Sequence, residues 1–172
     1  KKEKGISILI PAYNEKLVIE NCLMGIFNVN YKNFEILFIN DGSTDDTLET
    51  FQKNLMLIKT PMSKQGVLSH EKVKEIYRSQ KFPSIWVIDK ENGGKADALN
   101  TGIEIAAKEI IITLDADSII EANALNEMNK TFSDESVVAA GGLVNIVQGF
   151  KRNEEKLVPF FKLRGLIRYQ II

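Results

Sequence analysis

Hydrophobic and polar positions along the chain repeat one paired pattern. Runs of consecutive apolar, β-branched residues are each followed by a stretch with helical spacing: residues 5–15 (GISILIPAYNE) then 18–27, 34–43 (FEILFINDGS) then 44–54, 84–94 (SIWVIDKENGG) then 95–107, and 109–117 (EIIITLDAD) then 122–132. Strands that are apolar on both faces and alternate with helices predict a doubly wound α/β fold, with a mostly parallel sheet covered by helices on both sides. A fifth strand is expected within residues 136–148 (SVVAAGGLVNIVQ). Residues 54–83 break the rhythm as an insertion; a short helix is expected there, starting from Ser69 as N-cap and running to about Ser79.

Polar clusters sit where each apolar run ends, which in such a sheet is the edge on which ligands bind. PAYNE (residues 11–15) closes the first run, NDGSTDDT (40–47) the second, ENGGKADALN (91–100) the third and DADS (115–118) the fourth. In the second cluster Gly42 allows a tight turn and Ser43 or Thr44 can cap the next helix, while Asp41 is free to accept hydrogen bonds from a base or ribose. In the third, Gly93 and Gly94 let the backbone approach a ligand, and Lys95 opens a helix with a cation suited to a diphosphate. Taken singly, these two clusters read equally well as turns.

The fourth cluster is the sharpest. Asp115 and Asp117 lie two residues apart after a buried run, so they repel unless a cation compensates them. Hard divalent ions such as Mg²⁺ or Mn²⁺ favour oxygen ligands and share one or two carboxylates with substrate phosphates. An extended segment would turn both side chains to one side. The bland alternative is an acidic loop capping the following helix. Together the clusters point to a nucleoside diphosphate bound through a metal bridge.

Charge narrows the partners. With 22 Lys plus Arg against 23 Asp plus Glu, no overall field favours nucleic acid, so phosphate recognition has to be local. The single cysteine, Cys22, lies in an apolar helical pattern and reads as a buried structural thiol in a reducing, cytoplasmic setting. His70 has no second histidine or cysteine near it to form a metal site, and Trp86 reads as core. No apolar run reaches the ~20 residues that span a bilayer. The chain opens at Lys1 and closes on RYQII inside a predicted helix, so it is expected to be a portion of a longer protein.

The ordered set IPAYNE, NDGSTDDT, NGGKADALNTGI and DADS, spread from Gly5 to about Gln148, resembles the family 2 inverting glycosyltransferases with the GT-A fold. The resemblance implies transfer of a sugar from a nucleotide-diphosphate donor, a UDP-hexose or UDP-N-acetylhexosamine, to a saccharide or lipid-linked acceptor hydroxyl. It implies a nucleoside pocket formed with Pro11, Tyr13 and Glu15, with Asp41 on the uracil or ribose and Lys95 near the nucleotide. Asp115 would lie near the ribose and donor sugar, and Asp117, with Asp115 as the rest of a DXD motif, would hold Mg²⁺ or Mn²⁺.

The family's downstream acidic pair and the QxxRW signature of its processive members are missing. Asp134 and Glu135 read as a surface turn and Glu154 and Glu155 as a charged loop, so the catalytic base is expected outside this chain. A non-catalytic nucleotide-sugar-binding module is the alternative reading. A nucleotidyltransferase would want a glycine-rich basic loop after the first strand, which PAYNEKLVIE does not supply.

The domain reading is therefore a donor-binding domain over 1–150, with the insertion at about 54–83, followed by an amphipathic helical segment over 151–172. Read as a helix, that tail puts Phe160, Leu163, Leu166, Ile167 and Ile171 on one face and Lys162, Arg164 and Arg168 outside it. Such a face suits a membrane surface or packing on a further part of the protein. By resemblance to membrane-embedded polysaccharide synthases, the whole protein is expected at the cytoplasmic side of the cell membrane.

Overall fold

A computed structural model describes residues 3–61, 68–142, 150–153 and 156–159. Its first compact unit, residues 1–133, is a six-stranded sheet in the order β3-β4-β5-β2-β1-β6. The central strands are β1 (Ile6–Ala12) and β2 (Phe34–Asp41), nearly every residue of which is buried. β1 pairs in parallel with β2 on one side and with β6 (Ile110–Thr113) on the other, while β2 also pairs in parallel with β5 (Ile85–Lys90). Isoleucine and phenylalanine at consecutive positions fit strands that meet a helix layer on each face.

The two layers are distinct. Ile8, Ile10, Ile36, Phe38 and Val87 pack against α1 (Ile19–Phe27), α2 (Thr47–Leu55) and α4 (Ala124–Thr131) through Leu23, Ile26, Phe51, Leu55 and Leu125. Leu9, Leu37, Ile39 and Ile88 turn the other way and meet Ala98 and Ile105 of α3 (Lys95–Ile105). Gly102 of α3 lies so close to Leu9 and Ile39 that an added Cβ would stand 3.1 Å from Leu9 Cδ1. The doubly wound architecture expected from the sequence is present.

The insertion differs from expectation. The helix predicted from Ser69 to about Ser79 is replaced by a strand, β4 (Val73–Ser79), antiparallel to β5, with the short β3 (Leu57–Lys59) outside it. The sheet is therefore mixed. Lys74 and Arg78 are exposed, Ile76 and Ser79 buried and Val73, Glu75 and Tyr77 half-buried, so no single helical face is sequestered and cross-strand pairing with β5 decides the conformation. Arg78 and Trp86 face each other across the β4–β5 ladder, the guanidinium 4.9 Å from the ring centre, so Trp86 is half core and half cation platform.

The second unit, residues 134–172, begins with a turn in which Asp134 Oδ1 accepts bonds from Ser136 N (2.9 Å) and Ser136 Oγ (2.7 Å). No strand forms over residues 136–142, and 143–148 lie outside the described residues, as do Glu154 and Glu155. Where the sequence suggested the start of a helical segment at 151, β7 (Phe150–Asn153) and β8 (Lys156–Pro159) form an antiparallel hairpin. The predicted amphipathic face at 160–171 lies outside the described residues.

Candidate active site

Chain order turns at β1: β2 and β5 lie on one side of it and β6 on the other. The loops leaving the carboxyl ends of these strands enclose an open cavity of about 510 Å³, lined by Pro11, Ala12, Tyr13, Glu15, Asp41, Asn92, Gly94, Lys95, Asp115, Ala116 and Asp117. All six residues singled out for nucleotide binding, with Asp117, are thus brought together. A crevice at the carboxyl edge where the strand order reverses is where open α/β sheets bind ligands.

The loop after β1 is held by its neighbour. Asn14, at φ 57°, accepts the backbone N–H groups of Thr44 (2.8 Å) and Asp45 (3.3 Å) on its Oδ1 and donates its own N–H to Ser43 Oγ (3.0 Å). Glu15 donates its N–H to Thr47 Oγ1 at 2.9 Å. Ser43 and Thr44 therefore bind the first loop and, contrary to the expectation from the sequence, do not cap α2. That helix starts at Thr47, whose N–H goes to Asp45 Oδ1 at 3.0 Å. The result is a rigid wall from which Tyr13, 50% exposed, projects into the cavity.

Asp41 is placed differently from its expected role. It is only 2% exposed, and its carboxylate already has four donors. Oδ1 accepts from Lys90 Nζ (2.6 Å) and Gly93 N (3.0 Å), Oδ2 from Gly94 N (2.7 Å) and Asn92 Nδ2 (3.3 Å). The N–H groups of Gly93 and Gly94, expected to let the backbone approach a ligand, are thus turned toward Asp41. Gly94 sits at φ 88°, a conformation that favours glycine, and a Cβ on Gly93 would fall 2.4 Å from Asp97 Cγ.

Lys90, missed in the sequence, organises this corner. Its side chain is fully buried; its ammonium donates to Asp41 Oδ1 and to the Glu91 carbonyl (2.6 Å) and forms an ion pair with Asp97 Oδ1 (2.5 Å). Burial opposes its charge, but the two carboxylates outweigh that and raise its pKa. Burial likewise pushes Asp97 up, yet Lys90 and the Glu71 N–H, which bonds Asp97 Oδ2 at 2.8 Å, hold it below the usual carboxylate value. The available signal was a lysine closing an otherwise apolar strand, since a buried lysine requires a partner.

Across the cavity Lys95 Nζ meets Asp115 Oδ1 at 2.6 Å, both side chains being well exposed at 63% and 59%. Lys95 thus offsets the charge of Asp115. Asp115 and Asp117 reach the same cavity by a turn rather than by extended alternation: Ser118 N donates to Asp115 O at 2.9 Å and Ala116 is buried. No hydrogen bond or ion pair engages Asp117 among the described residues. Partial burial first, then Asp117, Asp45 and Asp115, push Glu15 above the usual carboxylate value, which marks this side of the cavity as negative. Behind it, burial and the charge of Asp117 push the Cys22 thiol up to about 12, in keeping with a structural thiol.

No group of three or more metal-ligating side chains is preassembled among the described residues. Two exposed carboxylates beside a cavity still fit a hard cation that takes one or two protein ligands and completes its shell with phosphate and water. His70 is engaged elsewhere, its Nε2 lying 3.1 Å from Glu104 Oε2.

Residues 7–58 and 68–171 match the model of glycosyl transferase family 2, and the chain belongs to that family. It is 34% identical over 137 residues to a poly-beta-1,6-N-acetyl-D-glucosamine synthase of Staphylococcus aureus, a match covering 80% of this chain and 27% of that protein. The corresponding synthase of Staphylococcus epidermidis is 34% identical over 122 residues, 70% of this chain and 24% of the relative. The chain therefore spans about a quarter of the length of these relatives.

Among solved structures, S. aureus TarS in complex with UDP-GlcNAc superposes with a TM-score of 0.57 at 18% identity, over 85% of this chain and 39% of that one. A Pyrobaculum calidifontis mannosyltransferase in complex with GDP-Man and Mn²⁺ gives 0.58 at 20% identity, over 86% of this chain and 37% of that one. The architecture is the GT-A one. No helix among the described residues is long and apolar enough to cross a membrane.

Proposed function

We propose that this chain is the donor-binding part of an inverting glycosyltransferase whose donor is a UDP-hexose or UDP-N-acetylhexosamine and whose acceptor is a saccharide or lipid-linked hydroxyl. The observation that carries the reading is the meeting of Lys95, Asp115 and Asp117 in one cavity, at the carboxyl ends of parallel strands. The family membership, the polysaccharide synthases among the relatives and the UDP-GlcNAc complex of a structural neighbour support it.

In the reaction, the acceptor oxygen forms a bond to the anomeric carbon as the bond from that carbon to the diphosphate oxygen breaks on the opposite face. Asp115 and Asp117 would hold Mg²⁺ or Mn²⁺, which when bound offsets negative charge on the diphosphate. The Mn²⁺ complex of the mannosyltransferase supports that assignment. Lys95, at the first position of α3, adds positive charge where the helix dipole also favours an anion. Tyr13 and Pro11 offer an apolar wall for the nucleoside.

We take the group that accepts the acceptor's proton to be supplied from outside this chain; Asp134 is tied to Ser136 in a turn. We place the whole protein's action at the cytoplasmic side of the cell membrane, where a polysaccharide synthase meets its nucleotide donor.

Calorimetric titration of the 172-residue chain with UDP-GlcNAc, UDP-glucose and GDP-mannose in the presence of Mn²⁺ tests the donor class. The expected result is UDP-sugars bound at least about tenfold (~1.4 kcal/mol) more tightly than GDP-mannose. Equal affinities would remove the uridine assignment. Sugar transfer from UDP-GlcNAc by the full-length protein would favour the enzyme, and donor binding without transfer the non-catalytic module.

A further inference from the structure

Gly25 stands inside α1, two residues before the helix ends at Phe27, and its φ is not positive. Backbone geometry therefore does not require glycine there, and alanine is the better helix former. Packing accounts for the residue. A Cβ at Gly25 would stand 2.9 Å from Ile119 Cγ2, 3.2 Å from Ile120 N and 3.3 Å from Ile120 O. The two Ile120 atoms are backbone and cannot turn aside as a side-chain tip can.

What lies on Gly25 is the segment that carries the acidic pair. It leaves β6 at Leu114, whose N–H donates to Leu9 O at 3.0 Å, then turns over residues 115–118 and buries Ala116 in the same core cluster as Cys22 and Leu23 of α1. Beyond Ile120 it is tied again: Asn30 N donates to Ala122 O at 2.8 Å, and Asn126 Nδ2 to Asn30 O at 2.7 Å. Between these ties Asp117 makes no hydrogen bond or ion pair among the described residues, so the backbone alone sets its place in the cavity. The charge of Asp117 is felt by the Cys22 thiol, one turn before Gly25, which puts α1 close behind the acidic turn.

We propose that Gly25 is a positioning residue for Asp117: its missing side chain lets the backbone at Ile119 and Ile120 settle on α1, and that contact fixes where the Asp117 carboxylate stands toward a divalent cation. The proposal rests on the metal and nucleotide reading given above. An ion held by one or two carboxylates, with phosphate and water completing its shell, is sensitive to the position of each carboxylate. Gly25 does not line the cavity, so it acts only through the segment that rests on it.

The test is the UDP affinity of the 172-residue chain, with and without Mn²⁺, in wild type, Gly25→Ala and Gly25→Ala combined with Ile119→Ala, each titrated below its melting range. In Gly25→Ala the factor by which Mn²⁺ strengthens UDP binding should drop to about a third of its wild-type value or less, while metal-free UDP affinity stays within about twofold. The double variant removes the 2.9 Å contact and leaves only the longer ones to Ile120. Its Mn²⁺ factor should exceed that of Gly25→Ala by at least about twofold.

Lowered stability with an unchanged Mn²⁺ factor would assign Gly25 to packing alone and overturn the proposal. An equal fall in affinity with and without Mn²⁺ would overturn it too, as would a double variant no better than Gly25→Ala. If Gly25→Ala melts too low to titrate, the double variant decides: a Mn²⁺ factor within about threefold of wild type supports the proposal and a lower one overturns it. A wild-type chain whose UDP affinity ignores Mn²⁺ would instead remove the metal reading, and a chain that binds no UDP the nucleotide reading, each taking this inference with it.

Discussion

Lys90 Nζ lies 2.6 Å from Asp41 Oδ1, a buried ion pair that ties the carboxyl ends of two adjacent parallel strands directly beneath the cavity. Asp97 makes the cluster two carboxylates around one ammonium. Removing the ammonium leaves like charges buried without compensation. Lys90→Met should therefore destabilise the chain by about 3–5 kcal/mol in urea denaturation. A denaturation midpoint equal to wild type would show that the cluster does not hold this corner.

The pH dependence of that cluster has a defined sign. Asp97 has its folded pKa depressed, so its contribution is fully present above the unfolded value of 3.8 and is lost as pH falls through the lower folded value. Lys90 is raised, so its contribution is present below 10.5 and is lost as pH rises through the higher folded value. Stability measured by denaturant titration should fall from about pH 4 downward, and Asp97→Asn should flatten part of that limb. An unchanged acid limb in the variant would contradict the assignment.

Two glycines separate dihedral strain from crowding. Gly42, at φ 68°, would place a Cβ 2.7 Å from Asn92 N, whereas Gly94, at φ 88°, has no atom within 4 Å of such a Cβ. Gly94→Ala should cost about 1–3 kcal/mol from the backbone alone, since φ 88° with ψ 170° is open essentially to glycine only, and Gly42→Ala at least as much because Asn92 must also move. Thermal denaturation reads both, and the reverse order would count against the loop packing.

The Cys22 thiol, pushed up to about 12, stays protonated at neutral pH and faces the core. A thiol-reactive chromogenic disulfide should leave the native chain unmodified at about pH 8 and label it stoichiometrically in denaturant, since the thiolate is the reactive form. Rapid labelling of the native chain would show that α1 opens readily.

Much of this was legible in the sequence for a definite reason. Strands buried on both faces, such as ILIPA and EILFIN, admit one arrangement, and polar residues at their ends have one edge to occupy. Lys95, Asp115 and Asp117 follow from their place at strand ends, whereas Pro11, Tyr13 and Glu15 were singled out by the family resemblance. The strand at Val73–Ser79 did not, because the serine cap signal at Ser69 is local, whereas the pairing partner that decides the matter is β5, whose first residue is Ile85. Asp41 was legible as a site residue but not as a saturated one. Its donors come from residues 90–94, some fifty positions away, and long-range hydrogen bonds leave no periodic trace.

The most direct test of the account is the titration of UDP into the wild-type chain and Asp117→Asn, each with and without Mn²⁺. Asp117 is the exposed cavity carboxylate with no protein partner among the described residues, so it is the group most available to a cation. The account predicts that Mn²⁺ strengthens UDP binding to wild type by at least about tenfold (~1.4 kcal/mol) and hardly at all in the variant. Equal Mn²⁺-dependent affinity in the two proteins would contradict it.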